Sequence, residues 1–480
     1  MGIADRLKRA ALATALATTL ATALTTSVAA AATITIINRN EPGVGFNDPT
    51  PAAPYGGNSG TTLGAQRRIA FEHAAAIWGA TLTSAVPIRM AASFVPLTCT
   101  ATTATLGSAG ASDIYADFPN APRPATWYPA ALASKLAGSD QSAPDAPHIV
   151  ARFNSRLGLF DDCMPKDGFY LGIDGQAGDR IDLVTVLLHE MAHGLGFQTF
   201  TNDQSGKRAN ELPSVWDYYL VDNRDGRSWA QMTDAERARS AISGNGLSWN
   251  GAAVTAAAPG LLSPVSQLTI SGPNAGAAAG VLAVGDAAFG APLSARAITA
   301  ELMPVVDGAD GAALACTALD AANRQAVAGK VALVDRGSCP FVDKAKNVQA
   351  AGAVAMVVGD NAPGEVSDLG GSDPTITIAA VRITQQAAMA LKLALQQRSD
   401  GHSGVFASLG VDVNRLSGTD SVGRLRMYTP GEYAPGSTVS HFSTDAKRNL
   451  LMEPAISADL THTVTAPVDL TYALLKDIGW

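Results

Sequence analysis

Residues 185–197 read TVLLHEMAHGLGF, and this stretch decides how the chain is read, because it sets His189, Glu190 and His193 in an HExxH spacing on one helix. Residues four apart on an α-helix share a face and lie about 6 Å apart along its axis, so the two imidazoles can converge on one Zn²⁺. Glu190 falls beside that point, where a carboxylate can take a proton from water and later return it to a leaving amine. The helix is supported by Val184, Leu187, Leu188, Met191 and Leu195 at helical spacing, with Asp179 or Asp182 as its cap and Gly194 and Gly196 as terminators. Burying three ionisable groups on an otherwise apolar helix is costly unless something pairs them, which weighs against incidental core histidines.

At 480 residues the chain exceeds a typical single core, and two or three domains are expected. The net charge is −8, and no Lys/Arg cluster occurs beyond the first residues, so a nucleic-acid partner and an anionic-membrane surface are not expected. Arg6, Lys8 and Arg9, the uncharged Ala/Leu/Thr run 10–28 and the small residues Ala29 to Ala32 read as an export signal over residues 1–32. The mature protein is then expected to be secreted, in a periplasm or outside the cell. In that setting the four cysteines are expected as two local disulfides, Cys99 with Cys163 and Cys316 with Cys339.

From Thr33 to about residue 200 the pattern is mixed α+β. Strands are expected at 34–38, 86–94, 112–118 and 148–154, and a helix at 64–82. The loop 160–179, FDDCMPKDGFYLGIDGQAGD, is acidic enough to consider Ca²⁺, but it lacks EF-hand spacing and reads better as a solvated loop. A short helix is expected at 233–243. From 265 to 410 the character changes to alternating strands and helices, VALVDRGSCPF, FVDKAKNVQAAGA, VAMVVGD, TITIAAVRIT and QQAAMALKLALQQ, which is a compact α/β module of its own. Residues 33–264 and 411–480 would form the flanking parts of one domain, which ends in the helix DLTYALLKDIG.

A catalytic zinc takes three protein ligands and keeps one position open. The local continuation HxxGxxH would put the third histidine at position 199, which is Thr199. His441 is the strongest alternative, because Met452, Glu453 and Pro454 follow it eleven residues on as a tight turn. Glu211, Asp217 and Glu236 stay open as carboxylate rivals.

HEMAHGLGF, a late His-aromatic pair and LMEP together resemble the leishmanolysin-type metzincins, zinc metallopeptidases whose third histidine arrives late and whose Met-turn reads LMxP. The resemblance covers the HExxH helix and about the last 45 residues, where VDLTYALLKDIGW is similar to the helix ending that catalytic domain. It implies His189, His193 and His441 as metal ligands, Glu190 as general base and Met452 as the Met-turn residue. Separately, residues around 316–381 resemble a protease-associated (PA) domain, here inserted between the second and third histidines. Such an insertion costs little if its ends lie close together.

The function expected from these features is a secreted endopeptidase acting on protein or peptide substrates laid along an edge strand of the N-terminal sheet, with zinc as its one catalytic ion. Tyr428, Tyr433 and His462 are candidates for stabilising an oxyanion. The competing expectation is an inactive exported binding protein that uses the PA module for recognition, against which the intact His189, Glu190, His193 and His441 argue.

Overall fold

The structure is a computed structural model that describes residues 30–166, 168–308 and 312–480. The basic and apolar parts of the expected export signal lie outside these residues, and of its small-residue end Ala32 is buried. Among the described residues no helix is long and apolar enough to cross a membrane.

The first core is built on a four-stranded sheet of β1 (Ile34–Asn38), β2 (Ile88–Val95), β3 (Gly107–Ala111) and β4 (Ile149–Asn154), in the order β1-β2-β4-β3. β1, β2 and β4 run parallel, while β3 lies antiparallel to β4 at the edge. The fourth strand was expected at 112–118, where only Ile114–Tyr115 pairs, outside this sheet, with Tyr128–Pro129. The strand instead forms from GSAGA, a segment of low β-propensity that hydrophobic alternation cannot reveal.

Helix α1 (Leu63–Thr81) crosses between β1 and β2 and packs on α3 (Leu183–Leu195); α2 (Ala130–Ala137) lies between them in sequence. The indole Nε1 of Trp78 on α1 donates to the Leu188 carbonyl of α3 at 3.1 Å, so even this buried polar atom is satisfied. Asp182 caps α3, accepting from the Thr185 N–H at 3.1 Å. Gly196, at φ 125°, ends it. Gly194 does not terminate the helix; a Cβ there would meet Ile149 Cγ2 on β4 at 2.3 Å, so its lack of a side chain lets helix and sheet approach. At the far end Trp480 Nε1 donates to the Leu195 carbonyl at 2.7 Å, fastening the closing helix, Thr471–Ile478, to the end of α3.

The second body is an eight-stranded sheet of β5 (Pro264–Ser271), β6 (Gly280–Ala283), β7 (Gly285–Asp286), β8 (Ile298–Pro304), β9 (Val331–Asp335), β10 (Ala355–Gly359), β11 (Ala379–Ile383) and β12 (Phe406–Leu416), in the order β6-β5-β12-β8-β9-β10-β11-β7. β8 to β11 run parallel, and β9, β10 and β11 are nearly continuous buried apolar runs, as strands covered on both faces must be. Its two faces carry separate apolar clusters, one around Leu268, Leu333 and Leu409 and one around Val334, Val348 and Met356.

The entering strand β5 and the leaving strand β12 pair antiparallel, from Pro264 opposite Leu416 to Ser271 opposite Phe406. The ends of the insertion therefore meet, and β12 runs past residue 410 to do so. Just beyond the pair, Ser417 N donates to Ser263 O at 2.9 Å and Ser263 N to Lys447 O at 2.6 Å. Both expected disulfides are formed, Cys99–Cys163 and Cys316–Cys339, with Cα separations of 4.9 and 5.7 Å.

Gly194→Ala tests the packing of α3 directly. In an open helix this change stabilises by about 1 kcal/mol, but against Ile149 it overpacks the core, and a loss of about 1–3 kcal/mol is expected in urea unfolding.

Candidate metal centre and cleft

α3 carries His189 and His193 on one buried face, 7% and 8% exposed, with Glu190 also 7% exposed. Each imidazole is oriented through Nδ1. That of His189 donates to the Leu451 carbonyl at 2.7 Å and that of His193 to the Phe197 carbonyl, also at 2.7 Å. His441 does the same with the Ser437 carbonyl at 2.9 Å. With Nδ1 protonated, each Nε2 carries a free lone pair, and Nε2 of His189 lies 3.2 Å from Nε2 of both His193 and His441. Three such lone pairs cannot bond one another.

Burial holds all three rings neutral. It lowers His189 to about 4, while His193 falls to about 3 through burial and then the neighbouring His189. His441 lies well below the ordinary histidine value, through burial and then the other two rings. Their nitrogens form the group within 4.8 Å, among the described residues, that could hold a metal ion. Zinc–nitrogen bonds of about 2.0–2.1 Å at tetrahedral angles require nitrogens roughly 3.3 Å apart, so the set fits zinc in both chemistry and spacing.

His441 reaches this point through a local ladder. Tyr428 N donates to His441 O, Phe442 N to Met452 O, and Ser443 N to Arg426 O, at 2.8, 2.8 and 3.0 Å. Phe442 packs edge-on against Phe197, with centroids 4.9 Å apart. Met452 is fully buried within a turn closed by Glu453 N donating to Leu450 O at 3.1 Å. Two acids brace that turn, Glu453, which the sequence places in it without a role, and Asp469, which the sequence analysis does not single out. Glu453 accepts from Leu450 N at 2.9 Å, and Asp469 accepts from Leu451 N at 2.7 Å and Thr471 N at 2.7 Å. Burial raises both, Glu453 to about 7. Leu451 thus has its N–H fixed by Asp469 and its carbonyl engaged by His189. The Glu in LMEP and the Asp two residues before Thr471 were the available signals.

The rival ligands lie elsewhere. Asp217 is fully buried but spent on structure, accepting from Thr199 Oγ1, Thr201 Oγ1, Ser214 N and Ser214 Oγ at 3.0, 2.5, 3.1 and 2.9 Å. Thr199, at the position of the absent histidine, is one of its donors. Glu236 closes a capping box with Thr233 and pairs with Arg227, and Glu211 is exposed. The acidic loop gathers no cation site among the described residues: Asp162 pairs with Arg156, and Asp174 accepts from the Tyr170 hydroxyl at 2.6 Å.

The three histidines and Glu190 stand in the wall of a cleft of about 1290 Å³. It is lined by residues 102–109, leading into and along β3, together with 174–182, 454–458 and 460–462. A Cβ on Gly107 would lie 3.1 Å from Glu190 Oε1, so glycine there lets the edge strand close on the carboxylate. Burial pushes Glu190 up to about 8, opposed by the Ala109 N–H of the same strand. His462 lies in the cleft wall with Nε2 3.0 Å from Asp182 Oδ2. Tyr433 donates to Asp203 at 3.1 Å, and neither Tyr433 nor Tyr428 lines the cleft.

Residues 298–391 match the family model described as the PA domain. Over 89 residues the chain is 42% identical to "ER degradation-enhancing alpha-mannosidase-like protein 3" of Xenopus laevis, covering 18% of this chain and 9% of that protein. It is 33% identical over 114 residues to "Minor extracellular protease Vpr" of Bacillus subtilis (strain 168), covering 23% and 14%. The chain thus spans only about a tenth of the length of the curated relatives it matches. Among solved structures it is similar to a zinc aminopeptidase from Bacillus subtilis at 22% identity and TM-score 0.21, covering 33% of this chain and 36% of that one. An aminopeptidase from Aneurinibacillus sp. strain AM-1 is also similar, at 22% identity and TM-score 0.22, covering 41% of each.

The protonation pattern predicts how chelator-treated protein responds to pH. Unfolded histidines take up protons near 6.5 and the folded ones only near 3–4, so stability rises with pH across that interval and is complete above about 6.5. Glu190 acts oppositely: the folded state holds its proton up to about 8 and the unfolded state only to 4.5, so stability is lost as pH rises between them. Followed by urea unfolding between pH 6.5 and 8, the metal-free wild type should therefore lose stability relative to metal-free Glu190→Gln, the two sharing the contributions of the histidines and of Glu453.

Proposed function

We propose that this chain is an exported zinc endopeptidase of the metzincin kind, with His189, His193 and His441 as ligands, Glu190 as general base and Met452 in the turn below the metal. The observation that carries this reading is the meeting of three neutral imidazole lone pairs beside Glu190 in a cleft walled by an edge strand. Its relation to the extracellular protease Vpr supports peptide substrates and export, and the two disulfides agree with an oxidising compartment.

An extended peptide adds to the free edge of β3 by main-chain hydrogen bonds, which bring its backbone past Glu190 whatever its sequence. Zinc, when bound, supplies the Lewis acidity that polarises a carbonyl and makes a water acidic near neutral pH. Beside a divalent cation the Glu190 carboxyl is driven back to carboxylate. Its Oε atoms then take the proton of the attacking water and pass it to the leaving amine, so no side-chain nucleophile is needed. The PA module carries no comparable cluster among the described residues and acts outside the chemistry.

Glu190→Gln should lower casein cleavage by about 10²–10⁴-fold, the range of one general base, while metal analysis still finds one zinc per chain. Wild type that lacks chelator-sensitive cleavage would overturn the peptidase reading. His441→Ala should lose zinc on dialysis; retention of full occupancy and activity would refute only the third-ligand assignment.

A further inference from the structure

One side-chain donor in the cleft wall has no partner among the described residues. Gln198 follows Phe197, whose carbonyl orients His193, and it lines the cleft together with β3. Its Nε2 is buried and makes no hydrogen bond among the described residues. Other buried polar atoms lack partners too, including those of Gln66, Trp216, Arg382 and Thr429, but none belongs to a residue of the cleft wall. Native proteins seldom leave a buried amide donor unpaired, and in a residue that lines a cleft a turn of the carboxamide about its terminal bond brings that donor to a molecule entering the cleft.

The neighbouring strand β3 is shaped to leave this side chain room. A Cβ on Gly110 would stand 3.2 Å from Gln198 Oε1, tighter than ordinary contact, so the glycine spares the carboxamide a crowding neighbour. A carboxamide offers both an N–H donor and a C=O acceptor, the complement of one peptide unit. Cleft position, orphaned donor and glycine clearance therefore converge on a single role.

We propose that Gln198 is a substrate-binding residue whose carboxamide pairs with one backbone peptide unit of an extended peptide lying against β3. This rests on the peptidase reading and deepens it. Recognition is of main chain rather than side chain, so the contact is independent of substrate sequence and is lost when a peptide is too short to reach it.

The test uses the full-length, zinc-loaded protein and a set of internally quenched peptides shortened one residue at a time from each end. For the longest peptide Gln198→Ala should raise KM about tenfold, the effect of one hydrogen bond to a buried group, with kcat within twofold, the pattern of a lost binding contact. For peptides shortened past one residue from one end, wild type and variant should become equal. Titrating the long peptide into Glu190→Gln and Glu190→Gln/Gln198→Ala by calorimetry, without turnover, should show the same tenfold difference. Equal KM and affinity for the long peptide would overturn the Gln198 proposal while leaving the peptidase reading standing. A uniform fall in kcat on every peptide would show a structural role and also overturn it. Absence of cleavage by wild type would instead overturn the reading beneath it.

Discussion

Three imidazole nitrogens held with lone pairs converging at the wall of a cleft form an arrangement the protein chain cannot satisfy by itself. Every Nδ1 is spent on a backbone carbonyl, those of Leu451, Phe197 and Ser437, and these carbonyls belong to the Met452 turn, the end of α3 and the loop before His441. The neutral, lone-pair-inward state is thus imposed by backbone geometry from three separate segments. Those segments need braces in turn, which is what Asp469, Glu453, the Phe197–Phe442 contact and the Trp480 indole supply. A cation bound there would relieve the inward repulsion, so that folding and metal binding would draw on the same contacts.

The edge strand obeys a different constraint. It must come close to a carboxylate while leaving one edge free, and the residues that permit this, Gly107 and Gly110, make a strand that propensity does not mark. The same small residues clear space for Glu190 and Gln198, so backbone approach, rather than side-chain volume, shapes that flank of the cleft.

Elements with strong periodicity are legible in the sequence: α1, α3, the closing helix and the strands β1, β2, β4 and β9 to β11 all declare themselves by apolar spacing or continuous apolar runs. The HExxH face was legible because its chemistry is local. β3 was not, since its glycines serve a neighbour distant in sequence. Asp217 invited reading as a ligand because it is an acid near the motif, yet its burial is explained by four donors from Thr199, Thr201 and Ser214. Asp469 went unnoticed because its partner is a backbone N–H eighteen residues away, a contact that leaves no trace in composition.

The root of the inserted module has a mechanical meaning. Ser263 is bonded on one side to Ser417 and on the other to Lys447, which lies between His441 and Leu451. A tug on the β5–β12 pair is therefore delivered to the very segment that carries the third histidine toward its turn. The large insertion hangs from the scaffold of the candidate metal centre, and the two bodies share a load path as well as a boundary.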